Sequence, residues 1–221
     1  MKKLDIWHKK LNQDKELSKD ILSLDEINKA KSFYKKEDEK NYIISHTFLR
    51  EILSHYHPSI HPREWTFQFS KYNKPSVASS HKINFHFNIS HSKSHIYVAY
   101  SKNLECGIDV EDIRDMNLDK SLLNLVMSKD EQKEFINAKD KETLFFKYWT
   151  LKEAHLKTSG DGVSLGMSNI SFTNLEEKDN YFKVKDRHYW SFNFEDKYYL
   201  SFSAQDKQNT IEVNYYKEED L

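Results

Sequence analysis

The chain has 221 residues, with 34 Lys and Arg against 35 Asp and Glu and a formal net charge of −1; a protein that holds nucleic acid through bulk positive charge is excluded. A single cysteine, Cys106, excludes an intramolecular disulfide framework and any multi-cysteine metal site. No apolar run approaches the ~18 residues of a membrane span, and the basic N-terminus lacks the apolar stretch of a signal peptide. A soluble, cytoplasmic, globular protein is expected, with 14% aromatic residues to build its core.

Ser23 followed by Glu26 reads as a capping box that opens a helix through Ile27, Ala30 and Phe33. A second helix is predicted from about Glu37 to Tyr56, with Ile44, Phe48 and Ile52 in one row. The two prolines of 57–62 break it. Alternation over 65–69 predicts a strand, and Tyr72-Asn73-Lys74-Pro75 a turn in which Asn73 tolerates positive φ. Residues 83–89 alternate again and end in Asn88-Ile89-Ser90-His91-Ser92; residues 95–101 and 104–111 read as two further strands.

The pattern is helical from 118 to 158, with a second capping box at Ser128 and Glu131. Gly160-Asp161-Gly162 ends that stretch. The tail alternates in short runs at 170–173, 181–184, 189–194, 198–204 and 211–216, which predicts an antiparallel meander. Helices followed by strands, twice over, give an α+β protein with halves 1–103 and 104–221. The early lysines (Lys2, Lys3, Lys9, Lys10, Lys15, Lys19) are read as solvated. Cys106 is read as an inert core residue.

Three segments carry chemistry. In Gly107-Ile108-Asp109-Val110-Glu111, side chains two apart on a strand share a face about 6.6 Å apart. Asp109 and Glu111 therefore project together, and two close carboxylates call for a cation or a shared proton. Gly107 is expected to keep the approach to Asp109 open. In Trp149-Thr150-Leu151-Lys152-Glu153-Ala154-His155-Leu156-Lys157, helical spacing sets Trp149, Glu153 and Lys157 in one row with Lys152 on its flank. This row offers a third carboxylate and cations for phosphate oxygens. Asn88–Ser92 offers hydroxyl, imidazole and main-chain donors for an anion rather than a nucleophile, since no G-x-S-x-G elbow is present. His55, His57 and His61 fit no standard metal spacing.

In chain order, residues 33–38, Tyr72–Pro75, 87–92, 107–111, 149–157 and 160–164 resemble the larger, Sfp-type 4′-phosphopantetheinyl transferases, over roughly residues 25 to 172. The resemblance implies two similar α+β halves related by pseudo-twofold symmetry, with coenzyme A in the cleft between them. It implies transfer of the phosphopantetheine arm to a serine of an apo acyl or peptidyl carrier protein, with release of adenosine 3′,5′-bisphosphate. By resemblance, Asp109, Glu111 and Glu153 hold Mg²⁺, and Ser90, His91 and Lys152 contact phosphates. Lys74 and Pro75 lie along the adenosine end, Lys157 faces the reacting diphosphate, and Lys29 and Lys31 stand near the 3′-phosphate. Asn73 replaces the family's usual glycine. Glu26 and Asn41 replace basic residues, with Lys40 a candidate substitute.

Glu153 suits a general base and Lys157 suits stabilisation of the departing phosphate. The spacing does not decide which carboxylate takes the proton. Residues 118–135 are a candidate docking region for an acidic, helix-rich carrier, and two halves in one chain fit a monomer that uses neither nucleic acid nor a membrane. Two other classes share parts of this pattern. A metal-dependent nuclease also uses paired strand carboxylates, but normally places a Lys two residues after an acid, where Ile113 stands here. A non-catalytic nucleotide-binding or carrier-binding module would not require all three acids.

Overall fold

The computed structural model describes residues 1–11, 19–160, 166–173, 180–195, 197–207 and 210–221. The chain opens with β1 (Lys2–Lys10), followed by α1 (Leu24–Lys31) and α2 (Lys36–Tyr56). Ser23 and Glu26 form the capping box at the start of α1. A small hairpin of β2 (Phe67–Phe69) and β3 (Pro75–Val77) precedes β4 (His86–His91) and β5 (His95–Ser101). Helix α2 packs Phe48, Leu49, Ile52 and Leu53 on Trp7, Ile96, Val98 and Tyr100 of β1 and β5, which is the core of the first lobe.

The second lobe starts with β6 (Cys106–Asp112), then α3 (Lys120–Val126), α4 (Lys129–Asn137) and α5 (Lys141–Ser159). Ser128 and Glu131 cap α4. Strands β7 (Tyr181–Val184), β8 (Arg187–Phe194) and β9 (Tyr198–Gln205) complete a sheet of order β6-β9-β8-β7. Phe145, Tyr148 and Leu151 of α5 pack with Phe182 and Tyr189. Each lobe is thus a four-stranded sheet with one long helix, a mixed α+β architecture. Leu4, Ile6 and Ala99 of one sheet bury against Ile108, Val110, Leu200 and Phe202 of the other.

The fold departs from the sequence reading in four places. The last strand, β10 (Ile211–Lys217), does not extend the second meander: it runs parallel to β1 and gives the first sheet its order β10-β1-β5-β4. Residues 170–173 form no strand; they follow a 3₁₀ turn at Met167–Asn169. Of the early lysines, Lys10 is exposed as expected, but four others are not merely solvated. Lys2 pairs with Asp206 at 2.9 Å, Lys3 with Glu212 at 3.3 Å, Lys9 with Glu218 at 2.8 Å and Lys19 with Glu39 at 3.5 Å; Lys15 lies outside the described residues. The first two of these ties, and the third, join chain ends distant in sequence.

The fourth concerns Gly107. It does not open a path to Asp109. A Cβ there would sit 2.5 Å from the Thr158 amide nitrogen and 2.7 Å from Thr158 Oγ1, so the glycine lets α5 lie directly on β6. Cys106 is fully buried, and burial pushes its thiol up to about 12. Among the described residues, no helix is long and apolar enough to cross a membrane.

Candidate active site

The period-two alternation of β6 fixes the chemistry of its two faces. Ile108 and Val110 enter the core between the sheets, while Gly107 and Asp109 turn toward α5. Asp109 is buried, and its Oδ1 accepts from Lys157 Nζ of α5 at 2.6 Å and from Ser90 Oγ of β4 at 2.9 Å. Lys157 Nζ also donates to Ser90 Oγ and to the Ile108 carbonyl, each at 3.2 Å. Three elements from both lobes therefore meet at one carboxylate oxygen. Its partner, Asp109 Oδ2, is buried with no hydrogen-bond partner among the described residues.

A cleft of about 310 Å³ opens above this point. The first lobe lines it with Tyr72, Asn73, Lys74, Pro75, Asn88 and Ile89; the second lobe with Glu153, Leu156, Lys157 and Gly160. Asn73 has φ of 61°, the left-handed conformation a glycine would otherwise supply. Lys74 Nζ donates to the Thr158 carbonyl at 2.9 Å, and burial lowers its pKa.

The remaining carboxylates repel one another. Burial, then the charge of Asp109, raises the pKa of Glu111 against the pull of Arg114 and Lys157. Burial, Asp109 and Glu111 likewise raise that of Glu153, with Lys157 opposing. Arg114 Nη1 holds Glu111 Oε2 at 3.0 Å. With Lys157 on Asp109 and Arg114 on Glu111, no three side chains of His, Cys, Asp or Glu stand as a ready metal-holding group among the described residues.

His91 points away from Ser90 along β4. The protein packed round it lowers its pKa first, and the charges of Lys157 and His46 follow. Lys29 and Lys31 are exposed on α1, where the Lys29 ammonium lies 5.5 Å from the centre of the Phe33 ring; neither lines the cleft. Lys152 is a correction to the sequence reading. It is fully buried and cannot meet a phosphate: its Nζ donates to Glu131, to the Val126 carbonyl at 2.7 Å and to the Met167 carbonyl at 3.2 Å. On an α-helix neighbours point about 100° apart, so Glu153 faces the cleft while Lys152 faces the core. Residues 161–164 of the matched segment lie outside the described residues.

Two residues near the site escaped the sequence reading. Arg114, three residues after Glu111, had a signal in that spacing alone. His46, whose charge reaches His91, had none, because α2 comes near β4 only through the tertiary fold.

Comparison with known proteins fits this two-lobed cleft. Residues 7–103 match the N-terminal domain of 4′-phosphopantetheinyl transferases, and residues 105–211 match the 4′-phosphopantetheinyl transferase superfamily. The 4′-phosphopantetheinyl transferase HetI of Nostoc sp. (strain PCC 7120 / SAG 25.82 / UTEX 2576) is 30% identical over 165 residues, covering 72% of this chain and 69% of that protein. The 4′-phosphopantetheinyl transferase Sfp of Bacillus subtilis (strain 168) is 26% identical over 171 residues, covering 76% and 73%. The chain belongs to the 4′-phosphopantetheinyl transferase family and is an enzyme of that class.

Proposed function

We propose that this enzyme transfers the 4′-phosphopantetheine arm of coenzyme A to a serine hydroxyl of an apo acyl or peptidyl carrier protein and releases adenosine 3′,5′-bisphosphate. It acts as a Mg²⁺-dependent cytoplasmic monomer with no role for nucleic acid or a membrane. The meeting of Ser90 with Asp109 and Lys157 under a cleft lined by both lobes carries this reading.

The donor set suits the metal. Asp109 Oδ2 is buried without a hydrogen-bond partner among the described residues, and Glu111 and Glu153 have pKa values raised by burial and by neighbouring carboxylates. A hard divalent cation relieves all of this, and oxygen-only ligands are what Mg²⁺ takes. Asp109, Glu111 and Glu153 would hold it. Bound there, Mg²⁺ supplies charge neutralisation for the diphosphate.

The chain's own residues divide the remaining work. The carrier serine oxygen attacks the phosphorus that bears the pantetheine arm; a P–O bond forms there, and the bond to the bridging oxygen breaks. Glu153 takes the serine proton, a role its raised pKa favours. Lys157 meets the negative charge gathering on the adenosine bisphosphate side. His91 donates to phosphate oxygens, as does Ser90 once its hydroxyl turns from Asp109 Oδ1; Lys74 and Pro75 flank the adenosine end, and Lys29 and Lys31 answer the 3′-phosphate from α1. Lys152, buried against Glu131, takes no part. The 118–135 stretch, with Leu125 exposed, receives the carrier.

Intact-mass measurement of apo acyl and peptidyl carriers incubated with enzyme, coenzyme A and Mg²⁺ tests the reading. One phosphopantetheine is expected on a serine, and Asp109→Asn or Glu153→Gln should each slow loading by about 10²- to 10⁴-fold. Unmodified carriers throughout, with the enzyme folded, would overturn it.

A further inference from the structure

Strands β4 and β6 are the inner edges of two different sheets, and among the described residues no main-chain ladder joins them. Side chains of β4 take the place of that ladder. Asn88 Oδ1 accepts from the Ile108 amide at 2.9 Å. Ser90 Oγ accepts from the Val110 amide at 3.4 Å. Ser92 Oγ donates to Asp112 Oδ1 at 2.8 Å, and Asp112 Oδ2 accepts from the Lys93 amide at 2.9 Å.

Asn88 and Ser90 of β4, and Ser92 just past its end, alternate and so share one face, and each reaches a partner 20 residues further on. A constant offset means that two parallel edges are locked in one register by side chains. Ile108 and Val110 are fully buried, so their amides would otherwise be orphaned at a cost of roughly 1–3 kcal/mol each. A slip by one pair would carry Asp109 about 6.6 Å away from Ser90.

Only the middle rung, Ser90, touches the reacting centre proposed above. We infer that the outer rungs, Asn88 with Ile108 and Ser92 with Asp112, are positioning elements of the transferase. They hold the lobes in the register at which Ser90, Asp109 and Lys157 meet, and so set how coenzyme A is gripped by both lobes at once. The inference rests on the functional reading above. Ser92 and Asp112 do not line the cleft, so any effect they have on the coenzyme is exerted through the register.

The test uses full-length enzyme, with KM for coenzyme A and kcat measured separately for wild type, Ser92→Ala, Ser92→Thr and Asn88→Ala. Amide hydrogen exchange at Ile108 and Val110 is followed in the same proteins. Ser92→Ala should raise KM about threefold to tenfold, the loss expected from one hydrogen bond, with faster exchange at both amides. Ser92→Thr, which keeps the hydroxyl, should restore both. A rung that only adds stability would lower the melting temperature and leave KM unchanged; KM within twofold of wild type for Ser92→Ala overturns the inference whatever Asn88→Ala does, since Asn88 also lines the cleft. Should Asn88→Ala fail to fold, Ser92→Ala decides alone. Wild type that binds no coenzyme A would instead sink the functional reading, and unchanged exchange in Ser92→Ala would then overturn the register lock on its own.

Discussion

Glu26 serves two structures at once. It closes the capping box on Ser23, and its Oε2 accepts from Arg50 Nη2 at 2.6 Å, with His46 Nδ1 3.0 Å from Oε1. Burial alone would raise its pKa; hydrogen bonds from His46, Arg50 and the Ser23 amide overcome that and hold it down at about 2. Its folded value lies below the ordinary 4.5, so the stabilisation is complete above pH 4.5 and is lost as pH falls toward 2. Glu26→Gln leaves Arg50 buried without a counter-ion and should cost about 3 kcal/mol at neutral pH. Urea titrations across pH check this: the gap between wild type and variant should close between pH 4.5 and 2. The cap was legible because its two residues are three apart. The ion pair was not, since Arg50 stands 24 residues away on another helix. Glu131 repeats the lesson, as a cap visible in the sequence and a partner of Lys152 invisible in it.

At the scale of elements, the site depends on how closely α5 lies on β6. The alternation of 107–111 told correctly which side chains share a face, but not what covers that face, so Gly107 was given the wrong purpose. Its true neighbour is the backbone of α5. Gly107→Ala would press a methyl group into the Thr158 amide and push the helix that carries Glu153 and Lys157 off the strand that carries Asp109. Overpacking of this kind costs about 1–3 kcal/mol. Displacement of about 1 Å between reacting groups costs on the order of 100-fold in rate. A thermal melt and a carrier-loading assay should therefore disagree in scale, with a drop of several degrees beside a rate loss of about 100-fold. A rate within a few-fold of wild type would show that the α5–β6 spacing is not what aligns the site.

For the whole molecule, the decisive element is β10. Its alternation declared a strand, yet a short alternating run does not say which sheet it joins, because edge partners are chosen by the tertiary fold. It returns about 200 residues later to pair with β1 from Lys2↔Ile211 through His8↔Lys217. Tyr216 stacks on Trp7 at 4.7 Å, and Asn214 Nδ2 donates to Asp5 Oδ1 at 2.8 Å. The first sheet is therefore incomplete without the end of the chain, and its inner face is covered by Ile108, Leu200 and Phe202. A fragment of residues 1–103 would expose the edge of β1 and leave Leu4 and Ile6 uncovered. It should be unfolded or aggregated by circular dichroism and size exclusion, and co-expression with residues 104–221 should recover a folded complex. The intact enzyme should unfold in one transition, because the cluster between the sheets belongs to both lobes. A monomeric 1–103 fragment with its own cooperative melt would mean that the lobes are independent domains, with β10 an accessory rather than part of the first lobe's core.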